Sequence, residues 1–570
     1  MERGGLQRIL LIAAVFFGVF FIFKSCNKGN DKAAQLIFET YDRLDLPAGS
    51  PPSEACAIDT PAFRAEIAPS GGGLSSYTLK GPKYVEGNGP IDLAFRTTSD
   101  GKGGRFYDYA PLRTYFRNDK SQGQVPGDLV TFSVKKSGAG CELRHVRADG
   151  VEIVRTIQPS ARPYELEVAT TVKNLGSAKQ KHAFSTALYA LQLKSEEGGI
   201  FSRPSPNGTF TVGCSESGKV ERRDHSAATK NWLLKSGNVD WAAISSNYLG
   251  QALVPEAGQG ARCAILGEER REAAGAEPTQ TLFRAYVAYP DRELSPNESV
   301  TYRQIAYLGP KDRDLLAAAS GGRHLDQMID LGTFAVIAKL LVRYLGFLHG
   351  IMGSWGIAII LLTVTVRLLL MPLTIPQIRS SLAMRRLKPE LDAINAKFAD
   401  DAQAKMLATT QLYKKNNVQP LLGCLPALLQ MPVWFALYTS LQTAMELYHE
   451  KFALWHDLSA ADPRYILPLV LGATMFVQQK VTPMQMDPAQ QKMMLYFMPA
   501  MFTVFMLFLP AGLGVYMLTN SLLGILQTVA VERYYQSVEG GGGGGGTVTV
   551  KVTPTGKEPR PARELARKDS

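Results

Sequence analysis

Residues 361–372, LLTVTVRLLLMP, place one arginine inside an apolar run. Between Arg343 and Arg379 no residue other than Arg367 carries a fixed charge. A run of about 20 apolar residues reads as a membrane-spanning helix. An arginine at its centre costs about 2.5–3.5 kcal/mol on insertion scales. Either Arg367 snorkels past Pro372 to the headgroups, or it faces a polar interior inside the membrane.

Residues 350–372 form one apolar run, and others follow at 421–444, 465–479, 493–509 and 512–531. An N-terminal run, residues 9–23, is preceded by Arg3 and Arg8 and closed by Lys24. No small-residue cleavage site follows it, so it reads as an uncleaved anchor. The expected fold class is a polytopic α-helical membrane protein with six transmembrane helices. Arg367 is the sole charge within them. The runs at 465–479 and 493–509 are short, which implies local bilayer thinning or a water-filled approach.

The chain has 570 residues and a net charge of +11. No basic run carries interleaved aromatics, so a membrane surface explains the charge better than nucleic acid. Lysine and arginine in the short loops set orientation. The loop from Arg379 to Pro420 carries eight of them, whereas Met445 to Asp462 carries one, Lys451. Both termini are therefore expected on the cytoplasmic side, with the polar region that follows the anchor outside, in the periplasm.

That polar region, residues 27–330, is punctuated by glycine and proline. In YELEVATTVKNLG, residues 164–176, period-two alternation puts Tyr164, Leu166, Val168, Thr170 and Val172 on one face. Residues 151–158 (VEIVRTIQ) and 282–290 (LFRAYVAYP) read the same way. This pattern predicts an antiparallel β-sandwich domain. Cys56, Cys141, Cys214 and Cys263 lie there; four cysteines allow three pairings, and free thiols fit equally well. His145, His182 and His225 are isolated and read as surface residues. No nucleophile motif, phosphate loop or metal spacing is present, so no cofactor, metal or catalytic residue is expected.

The resulting division is an anchor at 1–26, a linker at 27–61, a β-domain at 62–320 and an interfacial amphipathic helix at 331–349. A transmembrane helix at 350–376, a cytoplasmic helical hairpin at 377–418, further transmembrane helices at 421–531 and a flexible basic tail at 532–570 complete it. Lys339 and Arg343, four apart, favour a helix lying in the interface. The hairpin rests on two stripes: Met384, Leu387, Leu391, Ile394 and Phe398, then Ala402, Met406, Thr409 and Tyr413. Pro389 requires a first-turn position or a kink. The tail holds seven consecutive glycines, Gly540 to Gly546.

Two features argue for a functional Arg367. Thr363 and Thr365 make its helix face polar. Gln430, Thr439, Ser440, Thr474, Gln478, Thr503, Tyr516, Thr519 and Asn520 could line a wet groove in the other spans. With no intramembrane carboxylate, the expected partner of the guanidinium is water, lipid phosphate or an incoming anionic group. Such a groove would ease a polar peptide segment partway across the membrane. A transporter would show repeated halves, and an intramembrane enzyme would show a nucleophile–base pair or metal ligands; neither is visible.

Residues 355–374 (WGIAIILLTVTVRLLLMPLT), 412–438, 452–480 and 487–520 closely resemble the YidC membrane protein insertase family. The resemblance implies insertion and folding of inner-membrane proteins in a Gram-negative cell, alone or with the Sec translocon, and chaperone activity. Nascent membrane proteins are the implied clients. The ribosome, met through cytoplasmic loops and tail, and membrane lipids are further implied partners, and the chain is expected to act mainly as a monomer. Five spans would form the insertase core, and the β-domain would be a supersandwich. The family's groove arginine falls on Arg367, with Thr363 one turn before it. Gln430, Trp434 and Tyr516 fall where family members contact substrate. Gln419 and Met517 depart from the usual pattern.

Overall fold

The computed structural model describes residues 56–86, 89–94, 109–118, 130–193, 210–230, 233–235, 237–271, 278–398, 401–416, 425–481 and 492–540. The expected anchor, most of the linker and the tail beyond residue 540 lie outside these residues.

Alternating sequence becomes antiparallel strands. Nine of them form one sheet, from Ser133–Ser137 at one edge to Lys219–Arg223 at the other. A six-stranded sheet is organised around the strand Gln180–Leu193. The two sheets pack against each other, with Val239–Ser245 of one lying on Pro278–Ala288 of the other. Cross-sheet bonds tie them: Gln251 Nε2 donates to Tyr189 O at 2.7 Å, and Gln304 Nε2 to Thr186 Oγ1 at 2.8 Å. Disulfides join Cys56 to Cys141 and Cys214 to Cys263.

The strand Glu165–Asn174 keeps the expected face, with Leu166, Val168, Thr170 and Val172 all buried. Alternation also puts Arg155 in the core, where Nη1 donates to Gly72 O at 3.1 Å and Leu112 O at 2.8 Å. Burial pulls its pKa down to about 9. Two expectations need correction. Residues 282–287 are buried on both faces, because their strand is central in a sheet covered on both sides. His182 is a core residue, 3% exposed, paired with the Tyr302 hydroxyl at 2.8 Å. A polar partner on the other sheet lets an imidazole sit where the pattern alone suggests surface.

Among the described residues, eight α-helices lie beyond residue 334: α1 Ala335–Met352, α2 Trp355–Arg386, α3 Lys388–Lys397, α4 Ala402–Lys415, α5 Leu425–Gln442, α6 Ile466–Val481, α7 Met498–Met506 and α8 Ala511–Gly540. A π-helical turn, Met493–Phe497, leads into α7. Among the described residues, α1, residues 355–372 of α2 and residues 511–535 of α8 are long and apolar enough to cross a membrane. The short helices α6 and α7 are apolar as well.

α1 buries Ala338, Leu341, Leu345 and Leu348. Its opposite face exposes Lys339 and Arg343 beside Val336, Leu340, Phe347 and Ile351. Gly353, in the left-handed region, ends it by donating to His349 O at 2.8 Å. α2 runs on through Pro372 and Pro376 to Arg386, past the expected end at residue 376. Neighbouring helices can satisfy the carbonyls that such prolines free. Pro389 sits in the first turn of α3. The hairpin core is Met384, Leu387, Leu391 and Leu412. Met406, expected on the inner stripe, is exposed, because the pair packs only at its α2 end.

The β-region rests on the segment between α5 and α6. The Tyr248 and Tyr448 rings lie 5.0 Å apart, Tyr248 Oη donates to Ser459 O at 3.5 Å, and Lys83 pairs with Glu450. Phe452 of this segment packs where a side chain at Gly356, the second residue of α2, would stand.

Candidate functional site

α2 and α8 run side by side in the same direction, since residue 367 meets 520 and residue 374 meets 527. Asn520, Gly524 and Gln527 recur at i, i+4 and i+7, which puts them on one face of α8. That face meets Arg367. Arg367 Nε donates to Asn520 Oδ1 at 2.7 Å, Nη2 to Asn520 O at 2.7 Å, and Nη1 to Gln527 Oε1 at 3.4 Å. Gln527 Nε2 in turn donates to Thr374 Oγ1 at 2.6 Å. A Cβ at Gly524 would lie 2.9 Å from both Arg367 Nη2 and Gln478 Nε2. Glycine there lets α2, α6 and α8 converge on one polar point.

The half-buried guanidinium is thus held by neutral acceptors of the protein itself. No ion pair involves Arg367 among the described residues. This corrects the expectation that only water, lipid phosphate or an incoming group would meet it. An amide oxygen and a backbone carbonyl stabilise the charge without neutralising it. An arginine stays protonated at any working pH, so the site keeps a fixed positive charge.

The other residues picked from sequence stand as follows. Thr363 is buried, and its hydroxyl donates to Ile359 O at 2.7 Å within its own helix. Tyr516 is buried one turn before Asn520 on the same face of α8. Trp434, half-buried on α5, stacks on Tyr438 with centroids 5.6 Å apart and stands outside the hydrogen bonds that hold Arg367. Gln430 lies in α5, and its side chain is outside the described residues. Thr439, Ser440, Thr474 and Thr503 donate to carbonyls of their own helices. Hydroxyls can be satisfied that way, so they need not converge on a groove as the sequence suggested. The guanidinium and the Asn520 and Gln527 carboxamides reach across helices, as do two hydroxyls away from Arg367: Thr365 meets Tyr344 Oη at 3.1 Å, and Thr439 also donates to Leu331 O at 3.2 Å. Gln527, Thr374 and Gly524 were missed; the i, i+4, i+7 spacing on α8 was the signal that could have found them.

An antiparallel β-region followed by apolar helices converging on one held cation defines a membrane-embedded helical protein with an appended β-domain. The family descriptions "60Kd inner membrane protein" and "YidC periplasmic domain" match residues 347–538 and 55–344. The membrane protein insertase YidC of Anaeromyxobacter dehalogenans (strain 2CP-1 / ATCC BAA-258) is 35% identical over 499 residues, covering 85% of this chain and 86% of the relative. That of Geobacter sulfurreducens is 33% identical over 486 residues, covering 84% and 86%. The chain belongs to the YidC membrane protein insertase family. A crystal structure titled active YidC insertase with the first transmembrane domain resolved shares 17% identity at a TM-score of 0.35, covering 84% of this chain and 93% of that one.

Proposed function

We propose that this chain is a membrane protein insertase and chaperone for inner-membrane proteins, with Arg367 at the centre of a polar client groove. The observation that carries this reading is the count of donors on the guanidinium. It has five N–H groups, and three are engaged by Asn520 and Gln527. The other two find no acceptor among the described residues and, on a charge held inside the helical part, suit a carbonyl or carboxylate of an incoming segment. Such contacts would lower the dehydration penalty of moving that segment partway across.

In this reading the clients are nascent membrane proteins. Work alone or with the Sec translocon, and ribosome contact through cytoplasmic loops and tail, belong to the same proposal. Thr363, Gln430, Trp434 and Tyr516 are proposed to line the client path. The proposed layout has six spans including residues 9–23, with the mixed face of α1 lying in the interface. Both termini face the cytoplasm, and the β-domain, a supersandwich, faces the periplasm of a Gram-negative cell. The protein acts mainly as a monomer and carries no cofactor or chemical step.

The test is insertion of a short single-span client into proteoliposomes. Arg367→Ala is expected to impair it more than Arg367→Lys. Equal, near-wild-type activity of both variants would return Arg367 to a structural role.

A further inference from the structure

α2 is weakened where it holds its cation. Pro372 and Pro376 each lack a backbone N–H, so the carbonyls of Leu368 and Pro372 lose their intrahelical donors. Thr374 stands between the two prolines, buried, with its hydroxyl donating to Met371 O at 3.2 Å. Arg367 and Thr374 are seven residues apart, on one face of α2 and on opposite sides of Pro372. One carboxamide joins them. Gln527 Oε1 accepts from Arg367 Nη1 at 3.4 Å, and its Nε2 donates to Thr374 Oγ1 at 2.6 Å. An amide is well suited to this position, because it accepts from the charged side and donates to the hydroxyl side at once.

We infer that Gln527 is a positioning residue that staples α2 across its proline break and so fixes the direction in which Arg367 points. Asn520 holds one edge of the guanidinium, through Nε and Nη2. Gln527 holds Nη1, which stops rotation about that edge and keeps the two remaining N–H groups aimed at one place. Without it the cation can swing, while the segment after Pro372 keeps its other ties to α8, the Arg385–Glu532 pair and Arg379 over the Tyr535 ring. This inference rests on the reading of Arg367 as the client-binding group.

The experiment uses the full chain in proteoliposomes with a single-span client bearing an acidic translocated tail. Gln527→Leu is expected to lower insertion roughly tenfold, the scale of one lost hydrogen bond to a charged group. Thr374→Val should lower it in the same direction, and Thr374→Ser should regain most of that loss. In an Arg367→Ala background, Gln527→Leu should add no further loss, because its effect runs through the guanidinium. Near-wild-type insertion by Gln527→Leu, beside an impaired Arg367→Ala, would overturn the inference and leave the functional reading intact. An equal loss from Gln527→Leu with or without Arg367 would overturn it as well. Near-wild-type insertion by Arg367→Ala would instead sink the functional reading. If Gln527→Leu does not fold, the Thr374→Val and Thr374→Ser pair decides the question.

Discussion

Gly524→Ala separates the geometry of the polar point from the stability of the helices around it. The added Cβ would stand 2.9 Å from Arg367 Nη2 and from Gln478 Nε2, where ordinary contact begins at 3.4 Å. The guanidinium must therefore retreat by about half an ångström. Both neighbours are the ends of flexible side chains, so the fold can absorb the methyl group. Alanine is also favoured over glycine inside a helix, by up to about 1 kcal/mol. Retreat lengthens the 2.7 Å bond from Nη2 to Asn520 O. A hydrogen bond to a charged group is worth about 1.5–3 kcal/mol. Losing roughly 1 kcal/mol of it predicts about a fivefold drop in insertion. The assay measures the protease-protected fraction of a single-span client in proteoliposomes, beside the melting temperature of the purified variant. The expected result is reduced insertion with equal or raised melting. Wild-type insertion at an unchanged melting temperature would refute the claim that guanidinium position matters.

Further outcomes are expected elsewhere in the chain. Removing the Cys56–Cys141 bond, which closes a separation of 85 residues, should destabilise the β-region by roughly 2–5 kcal/mol, read as a lower melting temperature of the double serine variant. Burial first, then the nearby Arg292 and Arg147 charges, push the His182 pKa from 6.5 down to about 4. The unfolded chain therefore binds a proton that the folded chain refuses between those values. Stability should fall as pH drops from about 6.5 to about 4, by up to roughly 3 kcal/mol, and His182→Asn should flatten that slope in a pH series of melting curves. Gly356→Ala would place a Cβ 2.1 Å from the Phe452 ring and should destabilise by about 1–3 kcal/mol. Adding Phe452→Ala should recover part of that loss, and no recovery would mean that Phe452 is not the obstacle.

Some of this molecule could be read directly from its residues. The apolar runs around Arg367 and Tyr516 imposed helices, because a backbone in lipid must satisfy its own hydrogen bonds. The alternation through Leu166, Val168 and Val172 imposed a strand with one buried face, because side chains alternate across a strand. The lone charge at Arg367 stood out by its insertion cost. These are local properties, set by each residue and its near neighbours in sequence.

What surrounds Arg367 could be settled only in three dimensions. Asn520 and Gln527 lie more than 150 residues away, and nothing in their own segment says which helix they face. The threonines and serines looked equally polar in sequence, yet their hydroxyls bond to carbonyls one turn back. His182 looked like a surface residue until the Tyr302 hydroxyl of a distant strand met it in the core. The sequence of this chain determined its helices, its strands and the presence of a lone cation within an apolar helix. Which polar groups meet that cation was decided by the packing of α2, α6 and α8, because a hydrogen bond across helices depends on their relative rotation and depth.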